Sequence, residues 1–149
     1  MQPGHKIARV SAPFVIHVRA RYAECDLQGH VFNAHYLTWF DMAYAELLSD
    51  AAGRRYSELV AEGIDVVVAE CGIRYLSPAR YDDELEVHVA LEEPGNTSLT
   101  SRFTVTRDAE TICEGWIRHV CFDLTAMRKR PWPSELRSAF ARYQVEQLR

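Results

Sequence analysis

The hydrophobic period of this chain changes once, from helical to alternating, and that change limits the folds open to it. Between residues 33 and 52, Leu37, Phe40, Tyr44, Leu47 and Leu48 recur at steps of three, four, three and one. They mark one face of a helix of about four to five turns. The helix is expected to begin near Asn33, a good N-cap residue type, and to end before Gly53. Tyr56 to Glu62 reads as a short second helix closed by Gly63. From Ile64 onward the pattern is that of strands. Val66 to Leu76 is a long apolar-leaning strand, and Leu85, Val87, Val89 and Leu91 alternate with Glu86, His88, Ala90 and Glu92. Leu99 to Thr106 and Thr111 to Leu124 follow, separated by the hairpin-like turn Arg107-Asp108-Ala109-Glu110, with Pro94-Gly95-Asn96 as the turn before them. Upstream, residues 14 to 23 read as a first strand. After Pro131-Trp132-Pro133 a last helix is expected over about 134–148, with Leu136, Phe140, Tyr143 and Leu148 inward.

One strand, one long helix and four consecutive long strands make an α+β fold, an antiparallel β-sheet wrapped around one long helix. No repeat and no Gly/Ser/Pro-rich linker divides the sequence, so residues 1–149 are read as a single domain with its core over about 14–125. Such a sheet buries one face on the helix and must dispose of its other face and its edges. Residues 111 to 124 are apolar on both faces, with Ile112, Trp116, Val120 and Phe122 on one and Cys113, Ile117 and Cys121 on the other. A strand of that kind is expected at the centre of a sheet covered on both sides, or extended across a dimer. Self-association is therefore expected.

Composition narrows the function by exclusion. A net charge of −4 gives no footprint for a nucleic-acid backbone binder. The four cysteines, at 25, 71, 113 and 121, form no C-x-x-C pair and have no neighbouring His at zinc-site spacing, so no metal framework is expected. Lys6 and Arg9 precede the apolar stretch Val10 to Val18, but Pro13 and His17 interrupt it and Phe14, Ile16 and Val18 alternate as a strand would. That stretch is read as strand and not as a secretory signal, which makes the cytoplasm, with reduced thiols, the expected location. No apolar run approaches the ~18 to 20 residues of a membrane span.

Unusual residues concentrate between Glu24 and His35. Asp26 closes the first strand, and seven residues later the long helix starts, aiming unpaired backbone N–H groups back toward the neighbourhood of that carboxylate. A helix N-terminus can hold a carbonyl oxygen that becomes an oxyanion. Gly29 lets the loop turn with positive φ or approach a ligand closely. A carboxylate beside preformed oxyanion donors meets the needs of thioester hydrolysis, a nucleophile or general base together with stabilisation of the developing charge.

The segment Arg21-Tyr22-Ala23-Glu24-Cys25-Asp26-Leu27-Gln28-Gly29-His30-Val31-Phe32-Asn33-Ala34-His35-Tyr36-Leu37 resembles the signature loop of hotdog-fold acyl-CoA thioesterases of the 4-hydroxybenzoyl-CoA thioesterase-like branch. Asp26, Gly29, Val31 and Tyr36 meet its D-x-x-G-x-V-x-x-x-x-Y pattern. Tyr75-Leu76-Ser77-Pro78-Ala79-Arg80-Tyr81-Asp82-Asp83-Glu84-Leu85 resembles that family's Y-x-x-P-A-R-x-x-D-x-L turn, and Gly95-Asn96-Thr97-Ser98-Leu99 resembles the start of its next strand. The resemblance runs in one register over about residues 14–140. It implies a hotdog fold and an acyl-CoA thioester hydrolase without metal or cofactor. It also implies a homodimer whose two sheets join, often packed into tetramers, with active sites at the subunit interface. By position, Asp26 matches the catalytic carboxylate and Asn33 the helix start whose backbone N–H faces the thioester carbonyl. Some members carry a histidine at the helix start; here that position is Asn33 and the histidine is His30, so Asp26 is expected to act more nearly alone. Attack by Asp26 to form an anhydride and general-base activation of water both remain open.

Other residues have two readings each. Gly29 and His30 support the loop, with His30 as a proton donor or as a histidine fixing the turn. Tyr36, Thr97 and Ser98 are candidates for substrate contact, against core packing for Tyr36 and plain strand-surface hydroxyls for the other two. Cys25 is read as a core or interface thiol, because adjacent strand residues point to opposite faces. Asp41 is read as an ion-pair residue or one that supports the site from behind, not as a base, and His35 as facing solvent or a partner. Arg128-Lys129-Arg130 is either a contact for the coenzyme A phosphates or a solvated basic turn. The alternatives to hydrolysis are a hotdog-fold enoyl-CoA hydratase or dehydratase and a non-catalytic acyl-CoA-binding protein. Leu27-Gln28-Gly29, with no proline and His30 only four residues after Asp26, speaks against the first.

Overall fold

The computed structural model describes residues 14–145. Its elements in chain order are β1 (Phe14–Arg19), a 3-10 turn (Tyr22–Glu24), α1 (Ala34–Ala52), α2 (Tyr56–Ala61), β2 (Ile64–Tyr75), β3 (Glu84–Leu91), β4 (Ser98–Arg107), β5 (Glu110–Asp123), the two-residue β6 (Arg128–Lys129), α3 (Ser134–Ala139) and a closing 3-10 turn (Phe140–Tyr143). Every strand pair is antiparallel, in the order β1-β3-β4-β5-β2, with β6 also pairing with β5. α1 lies across one face of the sheet. Phe40 stacks on Phe103 of β4 (centroids 4.5 Å apart), and Tyr44 stacks on His119 of β5 (3.8 Å). The helix comes so close that a Cβ at Gly115 would meet Phe40 Cε2 at 2.8 Å and the Gly72 carbonyl at 2.5 Å. Only glycine fits there.

α1 ends as expected, with Gly53 in the left-handed region at φ +68°. Its start differs in detail. Asn33 is already helical in φ and ψ and makes no side-chain cap. The first strand, expected to reach residue 23, stops at Arg19. Its partner β3 begins at Glu84, and beyond that Ala20 is held by Asp82 and Asp83, which turns the chain into the 3-10 segment. β5 is central, and its faces are those the alternation implied except at Ile112. The ladder slips between Val105 and Thr106, and both Ile112 and Cys113 enter the core. A bulge inserts one residue and resets the alternation. Beyond it Ile117 and Cys121 face α1, while Val120 and Phe122 line a cavity on the other face.

The last helix is short. After Ala139 the chain tightens to 3-10, and Gln144 then bridges to Leu91 in parallel, with Val145 N–H donating to the Leu91 carbonyl at 3.0 Å. A strand-like contact to β3 ends the helical run. Leu136, Phe140 and Tyr143 are buried as expected. Leu148, the remainder of the expected helix, and the basic residues Lys6 and Arg9 lie outside the described residues; Phe14–Arg19 is strand.

Candidate active site

The segment from Glu24 to Phe32 is a small hairpin carried between the 3-10 turn and α1. Cys25 bridges to Val31, Asp26 N–H donates to the His30 carbonyl (2.8 Å), and Phe32 N–H donates to the Glu24 carbonyl (2.8 Å). The tip is closed by Gly29 N–H on the Asp26 carbonyl (3.0 Å) and by Gln28 N–H on Asp26 Oδ1 (2.8 Å). The second contact is an Asx turn, which fixes the carboxylate's orientation by its own backbone. Gly29 sits at φ +78°, a conformation a side chain would strain. Asp26 is exposed, and its Oδ2 has no protein partner among the described residues.

The turn after β2 supports this hairpin from beneath. Val31 N–H donates to the Ala79 carbonyl (2.8 Å), His30 bridges to Arg80, and Arg80 N–H is itself held by Asp83 Oδ2 (2.8 Å). The two segments singled out in the sequence, 21–37 and 75–85, therefore form one unit. His30 is half-buried as part of that bridge. On its far side the hairpin runs through Phe32 into α1. His35 N–H turns back to the Phe32 carbonyl (3.0 Å), while the N–H groups of Asn33 and Ala34 have no backbone partner among the described residues. The Asn33 carbonyl accepts the Tyr75 hydroxyl (2.9 Å), which anchors the helix start. Asp26 faces His30 across the hairpin, and only Val31 and Phe32 separate that residue from Asn33. A carboxylate with a free oxygen and a helix start with free donors thus stand on neighbouring arms of one rigid turn.

Tyr36 is placed in the core. It is buried, its ring lies edge-on to Trp39 (5.2 Å) and Tyr75 (5.5 Å), and its oxygen accepts Ala79 N–H (3.2 Å). Burial pushes its hydroxyl above the ordinary tyrosine range. Thr97 and Ser98 lie elsewhere, on a cavity of about 340 Å³ at the outer face of the sheet, together with Val67, Arg118, Phe122 and Lys129. Neither Asp26 nor Asn33 lines it. Cys25 packs against the core and its thiol meets the Arg21 carbonyl (3.7 Å). Asp41 Oδ1 lies 3.2 Å from Nε2 of buried His119, within hydrogen-bond distance.

Glu24 is a residue that sequence reading passed over. It is buried, and Oε1 accepts Arg21 N–H (2.9 Å) and Arg21 Nε–H (3.2 Å), while Oε2 accepts the Trp39 indole N–H (3.1 Å). Burial acts to raise its pKa, but the donors from Arg21 and Trp39 outweigh it and hold the carboxyl below the usual range. The i, i+3 spacing of Arg21 and Glu24 was the available signal; the Trp39 contact, 15 residues away, left none.

The family model of the thioesterase-like superfamily matches residues 20–140. The acyl-CoA thioester hydrolase YbgC of Escherichia coli O6:H1 is 29% identical over 126 residues, 83% of this chain and 92% of that one. Protein TT1821 from Thermus thermophilus superposes with a TM-score of 0.82 at 29% identity, covering 88% of this chain and 99% of that one. The gentisyl-coenzyme A thioesterase BH1999 does so at 0.79 and 25% identity, covering 85% and 98%. With the family model spanning the Asp26 hairpin and every strand of the sheet but β1, the chain belongs to the thioesterase-like superfamily.

Proposed function

We propose that this protein is an acyl-CoA thioester hydrolase in which Asp26 and the first turn of α1 carry the chemistry. The observation that carries the reading is the shared turn. The exposed Asp26 carboxylate is held in orientation by Gln28 N–H, one hairpin arm away from the free N–H groups of Asn33 and Ala34. The thioester carbonyl oxygen docks on those donors, which strengthen their hold as negative charge develops. Asp26 then either attacks the acyl carbon, forming an anhydride that water cleaves, or removes a proton from the attacking water. In both routes water adds across the C–S bond. The acyl carbon gains the hydroxyl, and the coenzyme A thiol leaves with the proton. No metal or cofactor takes part.

The working unit is a homodimer or a dimer of dimers. Among the described residues the outer edge of β2 is unpaired, and it shows Val67 and Val68, 39% and 52% exposed. An apolar edge of that length invites a second strand. The cavity bearing Thr97, Ser98 and Lys129 also takes Val67 and Ala69 of β2 into its wall, so a chain docked on that edge would adjoin it. Thr97 and Ser98 are then substrate contacts, and the basic run Arg128-Lys129-Arg130 meets the coenzyme A phosphates. Four free thiols, two of them buried, suit the cytoplasm.

Thiol release from a panel of acyl-CoAs tests the reading. Asp26→Asn is expected to lower kcat at least ~100-fold, whereas Cys25→Ala keeps wild-type rates. Normal turnover by Asp26→Asn would sink the mechanism.

A further inference from the structure

A carboxylate inside a core is an unfavourable choice when only stability is at stake. Apolar residues of similar volume are often as stable or more so, and a buried charge that persists can serve to fix one geometry. Glu24 is such a group, its side chain 7% exposed. What it fixes is visible from its partners. Arg21 N–H, at the start of the 3-10 turn, and the Trp39 indole, in the second turn of α1, converge on opposite oxygens of the same carboxylate (2.9 and 3.1 Å). The backbone carbonyl of Glu24 receives Phe32 N–H (2.8 Å), the bond that closes the base of the hairpin. One residue therefore ties together the segment before Asp26, the segment after it and the helix whose N-terminus follows.

We infer that Glu24 is a positioning residue for the thioesterase reaction: it sets the Asp26 hairpin against the first turn of α1, with Trp39 as its anchor on the helix. The inference rests on the reading of Asp26 given above. Glu24 touches no substrate and acts through the placement of Asp26 relative to the Asn33 and Ala34 donors. A misplacement of about 1 Å between reacting groups costs on the order of 100-fold in rate. Loss of the tie should therefore appear in kcat and leave binding of the coenzyme A portion largely intact.

Two variants remove one arm each. Glu24→Gln keeps the shape but turns one acceptor into a donor, and Trp39→Phe removes the indole N–H while filling most of the space. Steady-state hydrolysis of one acyl-CoA is measured for each, alone and combined with Asp26→Asn, with thermal melting recorded alongside. Expected are a fall in kcat of about 10- to 100-fold with KM within about twofold, a cooperative melt, and no further loss when either change is added to Asp26→Asn. The emission of Trp39 should shift in Glu24→Gln, and the Trp39→Phe spectrum should not respond to the same change at position 24. Unchanged kcat in both single variants overturns the inference while leaving Asp26 in place. So does an equal added loss on the Asp26→Asn background, since Glu24 would then act independently of Asp26. Loss of cooperative melting in both variants overturns it as well, by making Glu24 a support of the whole fold. Full activity in Asp26→Asn would be a different failure, that of the underlying site, and is read from that variant alone.

Discussion

Two groups of polar side chains lie between α1 and the elements it covers, and they are built differently. Under the first turns, Glu24 accepts three bonds, the Trp39 indole has its carboxylate and the Tyr36 oxygen receives Ala79 N–H. Farther along, His119 is stacked flat on Tyr44 and shares one nitrogen with the exposed Asp41. There Tyr44 Oη, Ser101 Oγ and His119 Nδ1 are buried with no partner among the described residues. A fully satisfied buried network fixes one arrangement, whereas a partly satisfied one mainly costs free energy. The satisfied group adjoins Asp26 and the helix start; the other stands a few turns away from the proposed chemistry. The better satisfied group thus stands at the end of α1 that adjoins the proposed chemistry.

That contrast can be broken most forcefully at Glu24. Glu24→Ala leaves the buried Trp39 indole N–H without its acceptor and removes the bonds from Arg21, so about 3 kcal/mol of stability should be lost in urea denaturation at neutral pH. A loss below about 1 kcal/mol would show that the donors find water readily and that the network is not tightly held.

A smaller effect follows from acid. The folded-state pKa of Glu24 lies below the ordinary value, because the donors from Arg21 and Trp39 overcome the opposing influence of burial. A carboxyl depressed on folding contributes stability that is fully present above its unfolded pKa of about 4.3 and is lost as pH falls through the lower folded value. Urea midpoints of wild type and Glu24→Gln should therefore differ at pH 7 and converge as pH drops below about 4. Parallel curves through the acid range would contradict this assignment.

Much of the architecture could be read from the sequence because its causes are local. The helical period and Gly53 bounded α1 to within a residue, and the alternation of Leu85, Val87, Val89 and Leu91 marked β3. The readings that departed depend on partners distant in sequence. β1 stops where β3 begins, the bulge at Ile112 arises from its register with Val105 and Thr106, and the last helix yields to a bridge with Leu91. The site divides the same way. Asp26, Gly29 and Asn33 stood out because one loop carries them all. Glu24 looked like one more loop acid until the fold brought Trp39 to it, and the separation of Thr97 and Ser98 from Asp26 depends on where the sheet carries the start of β4.

The smallest effects are expected in the second polar group, and they are the sharpest check on the contrast. Ser101 is fully buried and its hydroxyl has no partner, so the folded state already bears the desolvation of that group without a compensating bond. Ser101→Ala removes the uncompensated oxygen at the expense of a cavity smaller than a methyl group. Stability should stay within about 0.5 kcal/mol of wild type or rise by up to about 1 kcal/mol. Tyr44→Phe removes the other orphaned hydroxyl while keeping the ring stacked on His119, and belongs in the same range. If Ser101→Ala instead cost more than about 1.5 kcal/mol, its hydroxyl would have to be bonded in solution, as to a buried water. The polar groups along α1 would then be equally well satisfied, and the excess order around Glu24 would no longer single out the Asp26 end of the helix.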